Sequence, residues 1–389
     1  MLFFNLYASE GLIFSLSTVI TVLYFNDLNI PIETTTLAAG IINAPWILKF
    51  LPGPIIDFFR NVGRKRFIIM GGLMGSLCLF PLIIVNPVNH FILFIVLFFT
   101  SHLGVVFLDV TADAWAIETT SYSEKGKINA AMSAGLFSIW ALCDIFFAFI
   151  GQLMGYPFVF LIAGTLLLLL LILPLFIRER IIVKKHQKVF SILIEEFSKK
   201  NTILVALIEF VGAMNFGILL FIIPIYIKNV LFLDDVQTGI LSAIYPISIV
   251  IGTIIGGTSS DKYGRKRVLC YSFIGSLIFT GFLIFSNTWQ IFAILYTFIG
   301  LFQGTGMYAA MAALSMDVCN PKIGATQYSL LATFHNFGDV GVSIFSGMLL
   351  SLLGFTRLFL YAAWTVGPAL LILYFIKNTK GELKEGGNE

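Results

Sequence analysis

Charge is what this chain has least of. Asp, Glu, Lys and Arg make up 12% of its 389 residues, hydrophobic residues make up 58%, and the mean hydropathy is +0.95. Soluble domains carry roughly 25% charged residues, so a water-soluble surface cannot be built from this composition, and a bilayer is the expected solvent. The four cysteines, Cys78, Cys143, Cys270 and Cys319, have neither disulfide nor metal-ligand spacing and read as small apolar packers. Of the four histidines, only His335 has an acid one turn away, a weak basis for a metal or a nucleophile. No H-E-x-x-H or G-x-S-x-G motif occurs, which argues against a membrane-embedded enzyme, and no loop is long enough for a signalling domain. The glycines of MGGLMGS and IGTIIGG suit close helix packing and lack the loop context of a phosphate cradle. No metal, ATP or other cofactor is expected.

What is present is a series of twelve apolar stretches, near 3–26, 34–56, 67–86, 90–117, 127–153, 156–177, 202–227, 236–259, 268–286, 289–316, 325–353 and 357–376. Each approaches the roughly 20 residues a spanning helix needs, which predicts an all-α membrane protein. The start, MLFFNLYASEGLIF, has no basic n-region or small-residue cleavage pattern and reads as a first span. With the N-terminus inside, 21 of the 24 Lys and Arg fall on one face, leaving Lys228 and Arg357 outside and Lys49 within a span. By the positive-inside rule both termini are expected to be cytoplasmic. Topology and lipid headgroups account for the basic stretches, so no nucleic-acid partner is expected.

The longest polar connection, RERIIVKKHQKVFSILIEEFSKK from Arg178 to Lys200, reads as a cytoplasmic linker with an amphipathic surface helix around Val189 to Phe197. It divides the chain into a six-helix bundle at 1–177, a linker at 178–200 and a second six-helix bundle at 201–389. The halves repeat. GPIIDFFRNVGRKR from Gly53 returns as GGTSSDKYGRKR from Gly256, and Arg64, Lys65 and Arg66 recur at Arg265, Lys266 and Arg267, an offset of 201. Glu10 and Glu209 are 199 apart, and Gly126 and Gly324 are 198 apart. Duplicated membrane units related by a pseudo-twofold axis are how many transporters alternate between two faces.

These loops resemble the signature of the major facilitator superfamily, a G-x-x-x-D-x-x-G-R-K/R-type sequence after the second span and again after the eighth. Gly257, Asp261, Gly264, Arg265 and Lys266 fit it without a gap, whereas Gly53, Asp57, Gly63, Arg64 and Lys65 fit with three extra residues. YASEGLIF, APWILKFLPGPIID and FLDVTADAWAIE further resemble the branch holding AmpG-like muropeptide permeases and acetyl-CoA transporters. Glu10 stands where that branch usually has glutamine, and Ile13 replaces a proline. The resemblance implies two pseudo-symmetric six-helix bundles. Spans one, four, seven and ten would line a central cavity, two, five, eight and eleven would flank it, and three, six, nine and twelve would face lipid.

The loop motif has a physical rationale of its own. A carboxylate at a span end can accept hydrogen bonds from free N–H groups at a neighbouring helix start, where the macrodipole favours negative charge. Asp57 and Asp261 are placed for this, and the arginines can pair with Asp113, Glu118 or Asp317. Such pairs, formed while the cytoplasmic side is closed, would bias a two-state equilibrium.

An ionisable side chain at mid-bilayer costs about 2.5–3.5 kcal/mol on insertion scales and is a functional candidate by default. Glu10, Lys49, Asp109, Asp113, Asp144, Glu209, His335 and Asp339 lie in spans one, two, four, five, seven and eleven, and none falls in the four stretches expected to face lipid. Asp109 and Asp113 share a helix face, as do His335 and Asp339, and a carboxylate pair in low dielectric resists double ionisation. Lys49 is expected to pair with Glu10 or Asp109. Asn215 and Gln303 are expected to donate to a solute or to bridge helices, and Trp46, Trp115, Trp140 and Tyr308 are candidates for stacking. The expected function is secondary active transport by alternating access: proton-coupled symport of a small amphipathic solute, muropeptide-, peptide- or acyl-CoA-like, by a monomer in the cell membrane. Proton-driven efflux of lipophilic compounds is the alternative within transport.

Overall fold

The computed structural model describes residues 1–59, 62–119, 125–179, 189–320 and 323–376. Among them there is no strand. Among the described residues ten helices are long and apolar enough to cross a membrane: Leu2–Asp27, Arg64–Ile83, Phe91–Thr119, Ile128–Met154, Tyr156–Phe176, Lys200–Asn229, Asp235–Tyr263, Arg265–Phe285, Trp289–Val318 and Ser346–Phe375. The first and seventh spans are the most enclosed, with 89% and 67% of their apolar windows buried, against 39% for the sixth. Side chains such as Ile84, Ile92, Phe176 and Tyr374 are strongly exposed, a surface that only hydrocarbon would solvate.

The two remaining stretches depart from single helices for identifiable reasons. The second is broken: helix Ile32–Asn43, a tight turn Ala44–Trp46 and helix Pro52–Phe58. Between them the backbone closes i→i+3 hydrogen bonds, Lys49 N–H to Trp46 C=O at 3.2 Å and Leu51 N–H to Leu48 C=O at 2.9 Å. Pro45 and Pro52 lack the donors that a continuous α-helix would need. In this 3₁₀-like winding residues three apart eclipse, which stacks Lys49 above Trp46. The eleventh stretch runs as Gly324–Ser343, resumes at 346 and turns at Gly354, whose φ of +69° ends it before the twelfth begins. Only glycine adopts that conformation readily.

The chain divides into two compact units. One comprises Met1–Lys185, Phe221–Pro246 and Ile344–Met348; the other comprises His186–Leu220, Ile247–Ser343 and Leu349–Glu389. These units cut across the sequence halves, because a short part of the second half packs with the first. Asp235 ties it there: the Tyr156 hydroxyl donates to Asp235 Oδ2 at 2.6 Å, Lys228 pairs with its other oxygen, and Gln152 Oε1 accepts the Val236 N–H at 3.0 Å. In the other unit Val205, Leu269, Phe273, Met311, Val366 and Leu373 form a buried core. The expected surface helix is present as Val189–Phe197.

The repeat extends to side-chain contacts. Arg64 Nη2 pairs with Glu118 at 2.8 Å, and Arg265 pairs with Asp317. Lys65 donates to the carbonyls of Leu175 and Ile177, and Lys266 donates to those of Tyr374 and Ile376, at 2.8 Å to the latter. Each acceptor recurs at an offset of 199.

Candidate functional site

In the first unit Tyr7 and Glu10, three residues apart on the first span, face Asp109 and Asp113 on the fourth and Lys49 in the unwound part of the second. Lys49 Nζ lies 2.5 Å from Asp109 and 3.7 Å from Asp113, and the Tyr7 hydroxyl donates to Asp113. Glu10 lies in the same cluster as Asp109, Asp113 and Lys49, where ionised carboxylates at close range repel one another. Asp109 and Glu10 are buried, and Glu10 Oε2 has no hydrogen-bond partner. Lys49 also sits 5.8 Å from the Trp46 ring centroid, within cation–π range. Three carboxyl groups thus converge on one ammonium.

Beside this cluster lies an aromatic ladder. Phe14, one turn beyond Glu10, is sandwiched between Trp46 and Trp140, with centroids 5.0 and 5.3 Å away and rings 16° and 20° from parallel. Gly11 permits this: a Cβ there would lie 2.2 Å from the Leu136 carbonyl, so the first and fifth spans touch backbone to backbone. Asp144, one turn beyond Trp140, is buried at 1% exposure facing Ser15 and Trp140, and its Oδ1 makes no hydrogen bond. The first span passes into a π-helical turn at Leu16–Ile20, a local widening frequent at functional sites.

The second unit holds a different cluster. Glu209 accepts from Ser315 Oγ at 2.7 Å and faces His335 Nδ1 at 3.3 Å. The Tyr308 ring stands edge-on to the imidazole, 5.9 Å away. Asp339 lies one turn along, its Oδ1 taking the Val340 N–H. The seventh and eleventh spans approach because Gly338 packs on the Phe210 carbonyl, where a Cβ would lie only 2.0 Å away.

Asn215 and Gln303 sit apart from both clusters. Asn215 Oδ1 accepts from Gln303 at 2.8 Å and Ser276 at 3.3 Å, while its amide donates to the Ala362 carbonyl at 2.7 Å and to Thr280 at 3.4 Å. All four hydrogen-bonding positions of this buried amide are occupied, so the geometry is that of a helix bridge. Trp115 packs in the core with Leu6, Ile68 and Leu171 and offers no open face for a solute.

At the basic ends of the spans, Gly63 and Gly264 take φ of +94° and +86° and start the third and ninth helices. Gly53 and Gly257 have open space where a side chain would stand. At the start of the third helix Glu179 accepts the N–H groups of Arg64 and Lys65, a role of the kind the sequence suggested for Asp57. The Asp57 side chain lies outside the described residues. Asp261 is exposed and has no hydrogen bond among the described residues. Arg64 pairs with Glu118 rather than Asp113, which belongs to the lysine cluster. Sequence reasoning missed Tyr7, Glu179 and Ser315. The i, i+3 spacing of Tyr7 to Glu10 and the position of Glu179 just past the sixth span were the available signals.

The architecture, with an ionisable cluster buried in each unit, is that of a membrane transporter. The chain matches the Major Facilitator Superfamily over residues 2–207 and again over 205–389, and it belongs to that family. It is 23% identical, over 87% of its length and 86% of the relative's, to a Rickettsia typhi protein named as transporter AmpG 2. It is 30% identical, over 46% of its length and 45% of the relative's, to a class H tetracycline resistance protein of Pasteurella multocida. Among solved structures it is similar to a D-xylose–proton symporter, with a TM-score of 0.78 at 14% identity, covering 98% of this chain and 97% of that one; this likeness speaks to fold alone.

Proposed function

We propose that the chain carries a small amphipathic solute inward by alternating access, driven by protons. The observation that carries this reading is the clustering of buried Glu10 with the Lys49–Asp109–Asp113 ion pairs. Protonating Glu10 removes its repulsion with Asp109 and Asp113 and leaves Lys49 to them. Losing that proton makes Glu10 a third claimant on the ammonium, beside Asp109 and Asp113, and changes the field in the cluster. Solute binding and proton exchange would therefore share one set of charges, and each would shift the population of the other's preferred state. The similarity to AmpG-named relatives supports a muropeptide-, peptide- or acyl-CoA-like solute.

In this reading the paired arginines Arg64 and Arg265 hold the basic ends of their own halves rigid, and that face, with both termini, is cytoplasmic in the cell membrane. The two six-helix halves, joined through 178–200, work as one monomer. Asn215 and Gln303 bridge helices. Glu209, His335 and Asp339 form a second ionisable site. The tetracycline-resistance relative favours efflux as the second reading, and drug-stimulated proton release from vesicles is its test.

The deciding measurement for symport is uptake by proteoliposomes under an imposed pH gradient, screened against anhydro-sugar peptides, short peptides and nucleotide thioesters. Coupled uptake in the parent and uncoupled, gradient-independent exchange in Glu10→Gln and Asp109→Asn are expected. Parental coupling in both variants ends the mechanism.

A further inference from the structure

Within the first unit the two sequence halves meet at the end of the bundle away from Arg64 and Arg265. The seam is tight. Gly239 of the eighth span lies on the Asp144 carbonyl and the Ala148 methyl of the fifth, and Gly40 of the second lies on Ile344 of the eleventh, with no room for a Cβ at either glycine. The eleventh helix stops at Ser343 and resumes at Ser346. The Gly347 N–H, which a continuous helix would bond to its own preceding turn, donates to Thr36 Oγ1 at 3.1 Å.

Asp235, buried at the start of the eighth span, joins the same end. From its own half Lys228 pairs with it. From the other half the Tyr156 hydroxyl donates to it at 2.6 Å, and the neighbouring Val236 N–H goes to Gln152 Oε1 at 3.0 Å. Asp27, at the end of the first span, lies within electrostatic reach of both Asp235 and Lys228. These bonds are of two kinds. The Lys228–Asp235 pair lies within one half and can persist when the halves part, whereas the bonds from Tyr156 and to Gln152 cross between halves and must break. Lys228 therefore leaves Asp235 paired in either state. The bond from Tyr156, charge-assisted and so the stronger of the two crossing bonds, is the one that discriminates between the states.

We propose that the Tyr156–Asp235 bond is a latch that holds this end of the transporter shut, and that both residues are positioning residues for transport, setting how often this end opens rather than what is carried. This rests on alternating access as the proposed mode of transport and adds to it the side chains that fix the resting side.

The test uses the full chain in intact cells, with Cys78, Cys143, Cys270 and Cys319 replaced by alanine and a reporter placed by Ser242→Cys. Ser242 lies one turn beyond Gly239 on the same helix face, is 4% exposed and makes no hydrogen bond through its hydroxyl. A membrane-impermeant maleimide should reach a cysteine there only when the halves part at this end. Tyr156→Phe deletes the hydroxyl and leaves the ring stacked on Tyr24, 5.3 Å away and 29° from parallel. Labelling should be slow in the parent and about ten-fold faster in Tyr156→Phe and in Asp235→Asn, the ratio that a hydrogen bond to a charged group commands. A second reporter, Ser76→Cys, buried within the first half against the Gly164 carbonyl, should stay unreactive throughout. Parental labelling rates in both variants, or rapid labelling already in the parent, overturn the inference. So does a rise at both reporters, which would mark general loosening of the bundle. The expected gain seen in inverted vesicles instead of cells supports the latch and reverses the membrane orientation proposed above. No solute or proton gradient enters the measurement, so a failure of proton-coupled uptake leaves the latch standing.

Discussion

The two halves build one scaffold around two chemistries. Arg64 with Glu118 and Arg265 with Asp317 occupy corresponding places, as do Lys65 and Lys266 on the carbonyls that close the sixth and twelfth spans. Deeper in, the halves part. The first gathers its acids around a lysine delivered by a broken helix; the second sets Glu209 against a histidine on the eleventh span. Pro45 has a counterpart in Pro246, but Pro52 aligns with Thr253, and the eighth span runs helical through its single proline. At the offset of Lys49 the second half has only Val250. Two prolines seven residues apart, rather than one, unwind the backbone and turn a cation inward. A lysine stays charged throughout the physiological range, whereas a histidine can gain or lose its charge within it.

The largest expected consequence is in stability. Lys49→Met leaves Asp109, Asp113 and Glu10 without their cation, and removing one partner of a buried ion pair costs about 3–5 kcal/mol. His335→Gln removes one hydrogen bond to Glu209 and should cost about 1 kcal/mol. Thermal unfolding of the purified protein in detergent measures both. Adding Asp109→Asn to Lys49→Met should recover much of the loss. Equal midpoints for the two single variants would erase the contrast between the halves.

How much of this was legible depended on the kind of signal. Hydropathy and the offset repeat carried the helical membrane fold, because the bilayer demands long apolar runs and duplication preserves spacing. The Lys49–Asp109 pair was readable because a mid-span lysine must find an acid. The break in the second span was not drawn from APWILKFLP, although both prolines stood in view, because hydropathy averages over backbone donors. Asn215 and Gln303 were ambiguous for a related reason: whether a buried amide serves a solute or its neighbours depends on Ser276, Thr280 and Ala362, which come from other spans. Glu179, more than a hundred residues away, accepts the N–H groups of Arg64 and Lys65, a partner that no local motif announces.

The paired arginines differ in burial between the halves. Arg64 is 3% exposed and binds Glu118 at 2.8 Å and the Ile56 carbonyl at 3.1 Å. Arg265 is 26% exposed and shares itself between Asp317 and the Ala313 carbonyl. Arg64→Ala should therefore cost about 3 kcal/mol, as a buried pair does, and Arg265→Ala about 1 kcal/mol, as a solvent-screened one does. Double-mutant cycles with Glu118→Gln and Asp317→Asn isolate the pair energies. Larger coupling in the second half would reverse the ranking.

The smallest effect belongs to the surface helix Val189–Phe197, which the second half carries at its edge. Glu196 anchors it, accepting from Lys199 at 2.6 Å and from Asn320 Nδ2 at 2.7 Å. Burial alone would raise this carboxyl, but the hydrogen bonds from Lys199 and Asn320 outweigh it and hold the group below the usual carboxylate range. A carboxyl depressed in the folded state contributes stability above its unfolded value, about 4.3, and that contribution is lost as pH falls through the folded value. Because Lys199 is half in solvent, the contribution is about 1 kcal/mol or less. A nitroxide at the exposed Ile194 should be ordered at neutral pH and gain mobility as pH falls below the usual carboxylate range, while in Glu196→Gln its mobility should not change with pH. A label equally ordered across that range in the parent protein would mean that the apolar face of the helix, and not Glu196, holds it in place.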